Sequence, residues 1–142
     1  MRKKGCFVIE SEIKVPFFDV DSLHIVWHGH YVKYLEIARC ALLDALDYNY
    51  NTMGKFGYAW PVVGLELKYV KPAMFGTQII VRAELVEWET RLKVNYTIFD
   101  KASGERLTRA STTQVAVDLV TQEMQFITPE SWQSAVRKAI NI

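Results

Sequence analysis

Cysteine, histidine, surplus charge of either sign and long apolar runs are all scarce in this sequence, and each scarcity narrows what the chain can do. Two cysteines, Cys6 and Cys40, in 142 residues do not make the framework of a disulfide-stapled secreted scaffold. Cys40 falls in a strongly apolar periodic stretch, where a small buried thiol is the expected role, and a reducing, cytoplasmic compartment follows as the expectation. Seventeen Lys and Arg against sixteen Asp and Glu leave a formal net charge of +1, with no basic surplus to grip a nucleic acid. No apolar run approaches the roughly 18 residues of a membrane span, and the stretch after MRKK breaks at Glu10 before a signal-peptide core forms. What is present is ordinary globular composition, 50% hydrophobic and 23% charged. The length suits one domain over residues 1–142, undivided by linker, repeat or low-complexity segment, with one continuous core.

The order of elements follows from periodicity. From Val8 to Phe17 the apolar residues Ile9, Ile13, Val15 and Phe17 recur at period two against Glu10, Glu12 and Lys14, the mark of a half-buried strand. From Tyr31 the spacing changes to threes and fours through Tyr34, Leu35, Ala38, Leu42, Ala45 and Leu46, and Cys40, Ala41 and Leu43 widen the stripe. That predicts a helix enclosed on several sides. Residues 48–60, YNYNTMGKFGYAW, read as a loop with a short helical turn. Alternating segments around 63–69, 79–85, 92–98 and 105–118 predict four more strands joined by short turns. A terminal amphipathic helix is expected on the outside, with Thr128 as N-cap, Pro129 at its first position and Trp132, Val136, Ala139 and Ile140 on one side. One apolar helix plus an antiparallel meander implies an α+β fold, a sheet of about five strands curled round the helix. Such a sheet leaves open edges, and a second copy is a simple way to cover one, so at least a homodimer is expected.

All three histidines fall inside DVDSLHIVWHGHY, residues 19–31. His24, His28 and His30, with Asp19 or Asp21, hold ligand types for zinc or iron. But they straddle a strand-to-helix transition, so the four-residue spacing does not place two rings on one face. The HExxH glutamate and any downstream histidine are also missing, so no metal is expected. The backbone offers a better use. If the helix begins near His28, its first amides lack intrahelical acceptors and carry the positive end of the helix dipole. A loop carrying Asp21 to that place sets a carboxylate beside an oxyanion hole, an arrangement suited to acyl transfer to water from a good leaving group such as a thiol. The plainer alternative is that Asp21 only caps its own loop through local hydrogen bonds.

DVDSLHIVWHGHYVKYLEIAR resembles the signature of the 4-hydroxybenzoyl-CoA thioesterase family of hot dog proteins. Asp21 falls on the family's catalytic aspartate. Ile25, Val26 and Trp27 fall on its apolar and aromatic positions, His28 on a His-or-Tyr position, and Tyr31, Glu36, Ala38 and Arg39 on the start of its central helix. LELKYVKPAMFGTQIIVRAEL is similar to the following strand, Lys-Pro turn and strand, so the likeness covers about residues 8–126. His24 occupies the family's glycine slot and His30 stands where Asn or Ser is usual, which bears on the loop's backbone, since glycine reaches positive φ far more easily.

The resemblance implies hydrolysis of an acyl-CoA to acid and CoA. Asp21 would be nucleophile or general base and the His28 amide would bind the carbonyl oxygen. Trp27 and Tyr31 would contact substrate. No cofactor is implied beyond the coenzyme A of the substrate, and the site would lie at the interface of a homodimer or dimer of dimers. Two competing readings remain. Asp19 and His24 partly match the Asp-x-Asn-Pro-Leu-His motif of hot dog enoyl-CoA hydratases, with Asp21 and Ser22 replacing Asn and Pro. Alternatively the aromatics Tyr48, Tyr50, Phe56, Tyr58 and Trp60 line the pocket of a non-catalytic acyl-CoA or aromatic-ligand binder, or plug one end of the core. Lys68, Lys71 and Arg91 are candidate contacts for CoA phosphates, with solvated surface as the simpler role. Glu66 is expected to face solvent.

Overall fold

The structure, a computed structural model, describes residues 5–142; the first four residues of the expected domain lie outside it. Strand β1 (Phe7–Lys14) ends earlier than the alternation suggests, because Pro16 leads into a 3-10 turn at Phe17–Asp19. A second 3-10 turn at His28–His30 runs directly into α1 (Tyr31–Ala45). This helix contains no glycine or proline and ends where Asp47 takes φ 57°. There the Tyr48 amide returns to the Leu43 carbonyl and the Asp47 amide to that of Asp44, a Schellman closure with aspartate in the usual glycine place.

After α1 come α2 (Tyr50–Lys55) and β2 (Tyr58–Ala59). The long strands β3 (Val62–Tyr69), β4 (Gln78–Glu87), β5 (Leu92–Asp100) and β6 (Arg106–Gln114) follow, then β7 (Val117–Asp118) and α3 (Glu130–Ile140). The main sheet is antiparallel in the order β1-β4-β5-β6-β3, and β2 pairs with β7. Leu35, Ala38, Leu42 and Leu43 of α1 meet Ile79, Val81, Ala83 and Leu85 of β4 and Leu92, Val94, Tyr96 and Ile98 of β5 in one core. Each fully buried Leu, Ile or Val there contributes about 1.5–3 kcal/mol. This is the hot dog arrangement, an antiparallel sheet wrapped on a long helix.

Four expectations need correction. The helix is not enclosed all round: Val32 and Ile37 face outward, and Cys40 is only half-buried, its thiol directed to Glu36. The strand expected over 105–118 is two, because the Val115 amide turns to the Pro61 carbonyl and β7 leaves the main sheet. Thr128 does not cap α3. Its hydroxyl bonds the carbonyls of Trp88 and Glu89 and Pro129 takes the cap position, so Thr128 ties the helix to the β4–β5 turn instead. Lastly, the later strands are not a simple meander, since β3 lies beside β6 at the far edge and β1 takes the place next to β4. Helix α3 lies on the outside with its apolar side packed inward, as expected. Trp132 and Val136 are fully buried, and the Trp132 ring packs on Tyr48 and Trp60 at 5.4 and 5.5 Å. Tyr48 and Trp60 therefore plug one end of the core, while Tyr50 and Tyr58 border an open pocket.

Candidate active site at the head of the central helix

Residues 19–27 form a small ribbon folded back on itself. The Trp27 amide donates to the Asp19 carbonyl, Val20 bridges to Val26, and the Asp21 amide donates to the Ile25 carbonyl. His24 closes the turn with φ 63°, donating its amide to the Asp21 carbonyl. The histidine thus adopts the left-handed conformation that a glycine at this slot would supply, and the loop keeps its course at some cost in strain. The other face of the ribbon is pinned to the β3–β4 connection: Ile25 bridges to Met74, the Val26 amide bonds the Ala73 carbonyl, and the Phe75 amide bonds the His24 carbonyl.

Asp21 and Asp19 have different surroundings. Asp21 is partly exposed, and one carboxylate oxygen accepts from the Leu23 amide at 2.8 Å, so the local cap is real. Its other oxygen has no hydrogen-bond donor among the described residues. Asp19 is 1% exposed. Lys33 Nζ sits 2.6 Å from its Oδ1, the Tyr34 hydroxyl donates to its Oδ2 at 2.7 Å, and His30 Nδ1 lies 3.7 Å away. Burial alone would raise the Asp19 pKa, but the hydrogen bonds from Lys33 and Tyr34 and the charge of Lys33 outweigh it and hold the carboxyl below its ordinary value. Burial, reinforced by the hydrogen bond to Asp19, pushes the Tyr34 phenol up, so it stays a donor.

The amides of His28 and Gly29 have no acceptor among the described residues, whereas that of His30 is used by the Trp27 carbonyl. Asp21 lies two residue pairs along the ribbon from Trp27, about 7 Å at ~3.3 Å per residue. Trp27 is half-exposed, its indole tilted against His28 at 5.0 Å and edge-on to His30 at 5.4 Å. Tyr31 is buried rather than open to solvent. Its hydroxyl accepts from the Ala73 amide, and its ring packs on Tyr69, whose hydroxyl donates to the His28 carbonyl. Tyr31 and Tyr69 together fix the head of the helix.

Several expected candidates are not brought together. No hydrogen bond or ion pair joins Asp19 to His24, which is exposed on the turn. Among the described residues the histidines, aspartates and other possible ligands form no group of three placed to hold a metal ion. Lys71 and Arg91 form surface pairs with Glu105 and Glu87, and Lys68 and Glu66 are exposed on β3. Two features escape the sequence reading. A Cβ on Gly29 would overlap the Trp27 indole, so glycine is what lets that ring lie over the helix start. The Asp19–Lys33–Tyr34 anchor is the other, and its only signal is a lysine beside a core tyrosine in the helix's first turn.

The family model described as thioesterase-like superfamily matches residues 15–140. A Bacillus subtilis (strain 168) protein named "Putative acyl-CoA thioesterase YneP" is 30% identical over 135 residues, 93% of this chain and 97% of its own. Among solved structures, the DHNA-CoA thioesterase of Staphylococcus aureus superposes with TM-score 0.82 at 24% identity, covering 93% of this chain and 90% of that one. The hypothetical protein TT1821 of Thermus thermophilus gives 0.80 at 28% identity, covering 92% and 98%. With its fold and a family match over nearly its whole length, the chain belongs to the thioesterase-like superfamily and, with it, to the thioester hydrolases.

Proposed function

We propose that this protein hydrolyses an acyl-CoA thioester to the free acid and CoA, with the Asp21 carboxylate as nucleophile or general base and the His28 and Gly29 amides holding the carbonyl oxygen. The reading is supported by two unused amides at the head of α1 and by Asp21, whose carboxylate keeps one oxygen free on the ribbon that leads into that helix. As water or Asp21 adds, the carbonyl oxygen gains negative charge, which two fixed amides backed by a helix dipole stabilise without reorganising. The CoA thiol, of ordinary pKa about 8.5, then leaves with little protonation. Trp27 supplies an exposed aromatic wall for the substrate, and Tyr31 holds the amides in register. No cofactor enters beyond the CoA carried by the substrate.

A second copy of the chain belongs to the reading. Leu65, Leu67 and Tyr69 pair with the buried Thr112, Ala110 and Thr108, so they lie on the sheet's inner face. Yet Leu65 is 45% and Tyr69 47% exposed, because α1 packs mainly on β1 and β4 and meets the end of β3 through Tyr31 against Tyr69. An open edge with bare apolar residues on its inner side suits two-fold pairing of β3 with its own copy. Antiparallel pairing about Leu67 also sets Glu66 opposite the partner's Lys68.

The test is a hydrolysis screen over short, long and aryl acyl-CoAs with wild type and Asp21→Asn. The amide keeps an oxygen for the Leu23 cap but loses the charge, so turnover should fall at least about a hundredfold. Undiminished turnover in that variant refutes the mechanism.

A further inference from the structure

Lys68 and Arg109 on one side and Glu87, Arg91 and Lys93 on the other border an open cleft of about 640 Å³ on the outer face of the main sheet. The inner face carries α1 and meets the helix head where Tyr69 packs on Tyr31, so the sheet stands between this cleft and the amides of His28 and Gly29. Asn95 belongs to the cleft lining although it is only 6% exposed. Its neighbours Val94 and Tyr96 point into the core, and strand alternation therefore turns the Asn95 carboxamide outward. Val86, also in the lining, is 5% exposed and lies outside the core cluster. The cleft thus has a buried floor of its own.

The Asn95 carboxamide is anomalous, because neither its oxygen nor its NH2 has a hydrogen-bond partner among the described residues. A buried amide left so costs free energy that a ligand supplying the partners recovers. The charges beside it decide which ligand. Ser111 is opposite Asn95 on β6 and Arg109 diagonal to it, a span of about 7 Å that a long side chain bridges. Lys93 is two residues back on the same face of β5. Arg91 is held by Glu87, and when β3 pairs with its copy Lys68 meets the partner's Glu66. Glu84, opposite Asn95 on β4, does not line the cleft. Lys93 and Arg109 are left without an ion pair among the described residues, beside a hydroxyl and an amide that can both donate.

We infer that this cleft is a second ligand site, separate from the thioester site, and that it takes a dianionic phosphoryl group, as in a sugar phosphate. Arg109, Lys93, Ser111 and the Asn95 NH2 bond the phosphoryl oxygens, and the Asn95 oxygen accepts from a hydroxyl of the sugar. The volume falls within the range of small-molecule sites.

The experiment is calorimetric titration of the full chain with ribose 5-phosphate, ribose and inorganic phosphate. Ribose 5-phosphate should bind with Kd below about 1 mM and ribose should not bind. A sugar phosphate at least about tenfold tighter than inorganic phosphate uses the Asn95 acceptor as assigned; equal affinities keep the anion site and identify free phosphate as its source. Binding of neither anion overturns the inference. Asn95→Leu removes the amide and leaves every charge, and it should weaken binding by about tenfold. Arg109→Gln should do at least as much, while Lys101→Gln, which only frees Glu12 elsewhere on the sheet, should change nothing. Affinity unmoved in both Asn95→Leu and Arg109→Gln overturns the site. Hydrolysis of acyl-CoA in these two variants should keep its KM within about twofold of wild type. A KM raised tenfold in both would mean that the cleft holds part of the thioester substrate, and overturns its separateness.

Discussion

Replacing Tyr34 by phenylalanine isolates the anchor beneath the candidate site. The ring is fully buried and keeps its packing in the variant, so the only loss is the hydroxyl 2.7 Å from Asp19 Oδ2. A hydrogen bond to a charged group is worth about 1.5–3 kcal/mol, and the carboxylate oxygen left behind has no access to water as a substitute. With unfolding entropy near 0.3 kcal/mol/K for a chain of this length, Tm should fall by about 5–10 °C at pH 7. The pH dependence carries a sign. The folded pKa of Asp19 is lowered, so its stabilisation is present above the unfolded value of about 3.9 and is lost as pH falls through the folded value. Removing the Tyr34 donor raises the folded pKa, so the gap in Tm between wild type and variant should narrow below about pH 4. Thermal denaturation by circular dichroism at pH 7 and pH 3 measures both quantities. A Tm within about 1 °C of wild type at pH 7, or a gap unchanged at pH 3, refutes the claim that this pair anchors the ribbon.

Three further substitutions probe the neighbouring geometry. His24→Gly removes left-handed strain of about 1–2 kcal/mol at the cost of about 0.5–1 kcal/mol of added unfolded-state freedom; it should therefore raise stability slightly, and a lower denaturant midpoint would count against strain at φ 63°. Gly29→Ala drives a methyl into the Trp27 indole, so tryptophan emission should shift and kcat/KM fall, while an unchanged spectrum would mean the ring does not rest there. Leu65→Lys puts a charge on the bare inner face of β3 and should give monomers in sedimentation experiments, with activity lost in step; a dimeric, active variant would remove β3 as the pairing edge.

The fold was legible because its signals are long. Fifteen residues of helical stripe and the alternating strands leave little choice of fold class, but the sheet order is not in them: a meander would set β3 beside β4, whereas β3 pairs with β6 at the far edge and β1 lies next to β4. The errors cluster where a contact distant in sequence decides the outcome. Thr128 looks like a cap until the carbonyls of Trp88 and Glu89, some forty residues away, take its hydroxyl. Strand 105–118 looks continuous until Pro61 draws off Val115. At the candidate site, the histidine at the glycine slot was visible, and the structure answers it with a positive φ. Gly29 was not readable as a requirement, since its neighbour Trp27 folds over it only in three dimensions.

The two aspartates of the opening motif are separated in role by which of their oxygens remain free. Both Asp19 oxygens already hold strong donors, one from Lys33 and one from Tyr34, and the side chain is closed to solvent. An attacking carboxylate needs an oxygen with an open lone pair, and a general base needs one that water can reach, so Asp19 is suited to neither task. Asp21 uses one oxygen to shape its turn and keeps the other. The two asparagine variants should therefore fail in opposite ways. Asp21→Asn should keep its Tm and lose turnover. Asp19→Asn should keep measurable turnover while Tm falls by several degrees, because Lys33 loses its counter-charge and the helix head its tie to the ribbon. The same occupancy argues against water activation by Asp19 with His24, since that pairing requires an acceptor that Lys33 and Tyr34 have already taken.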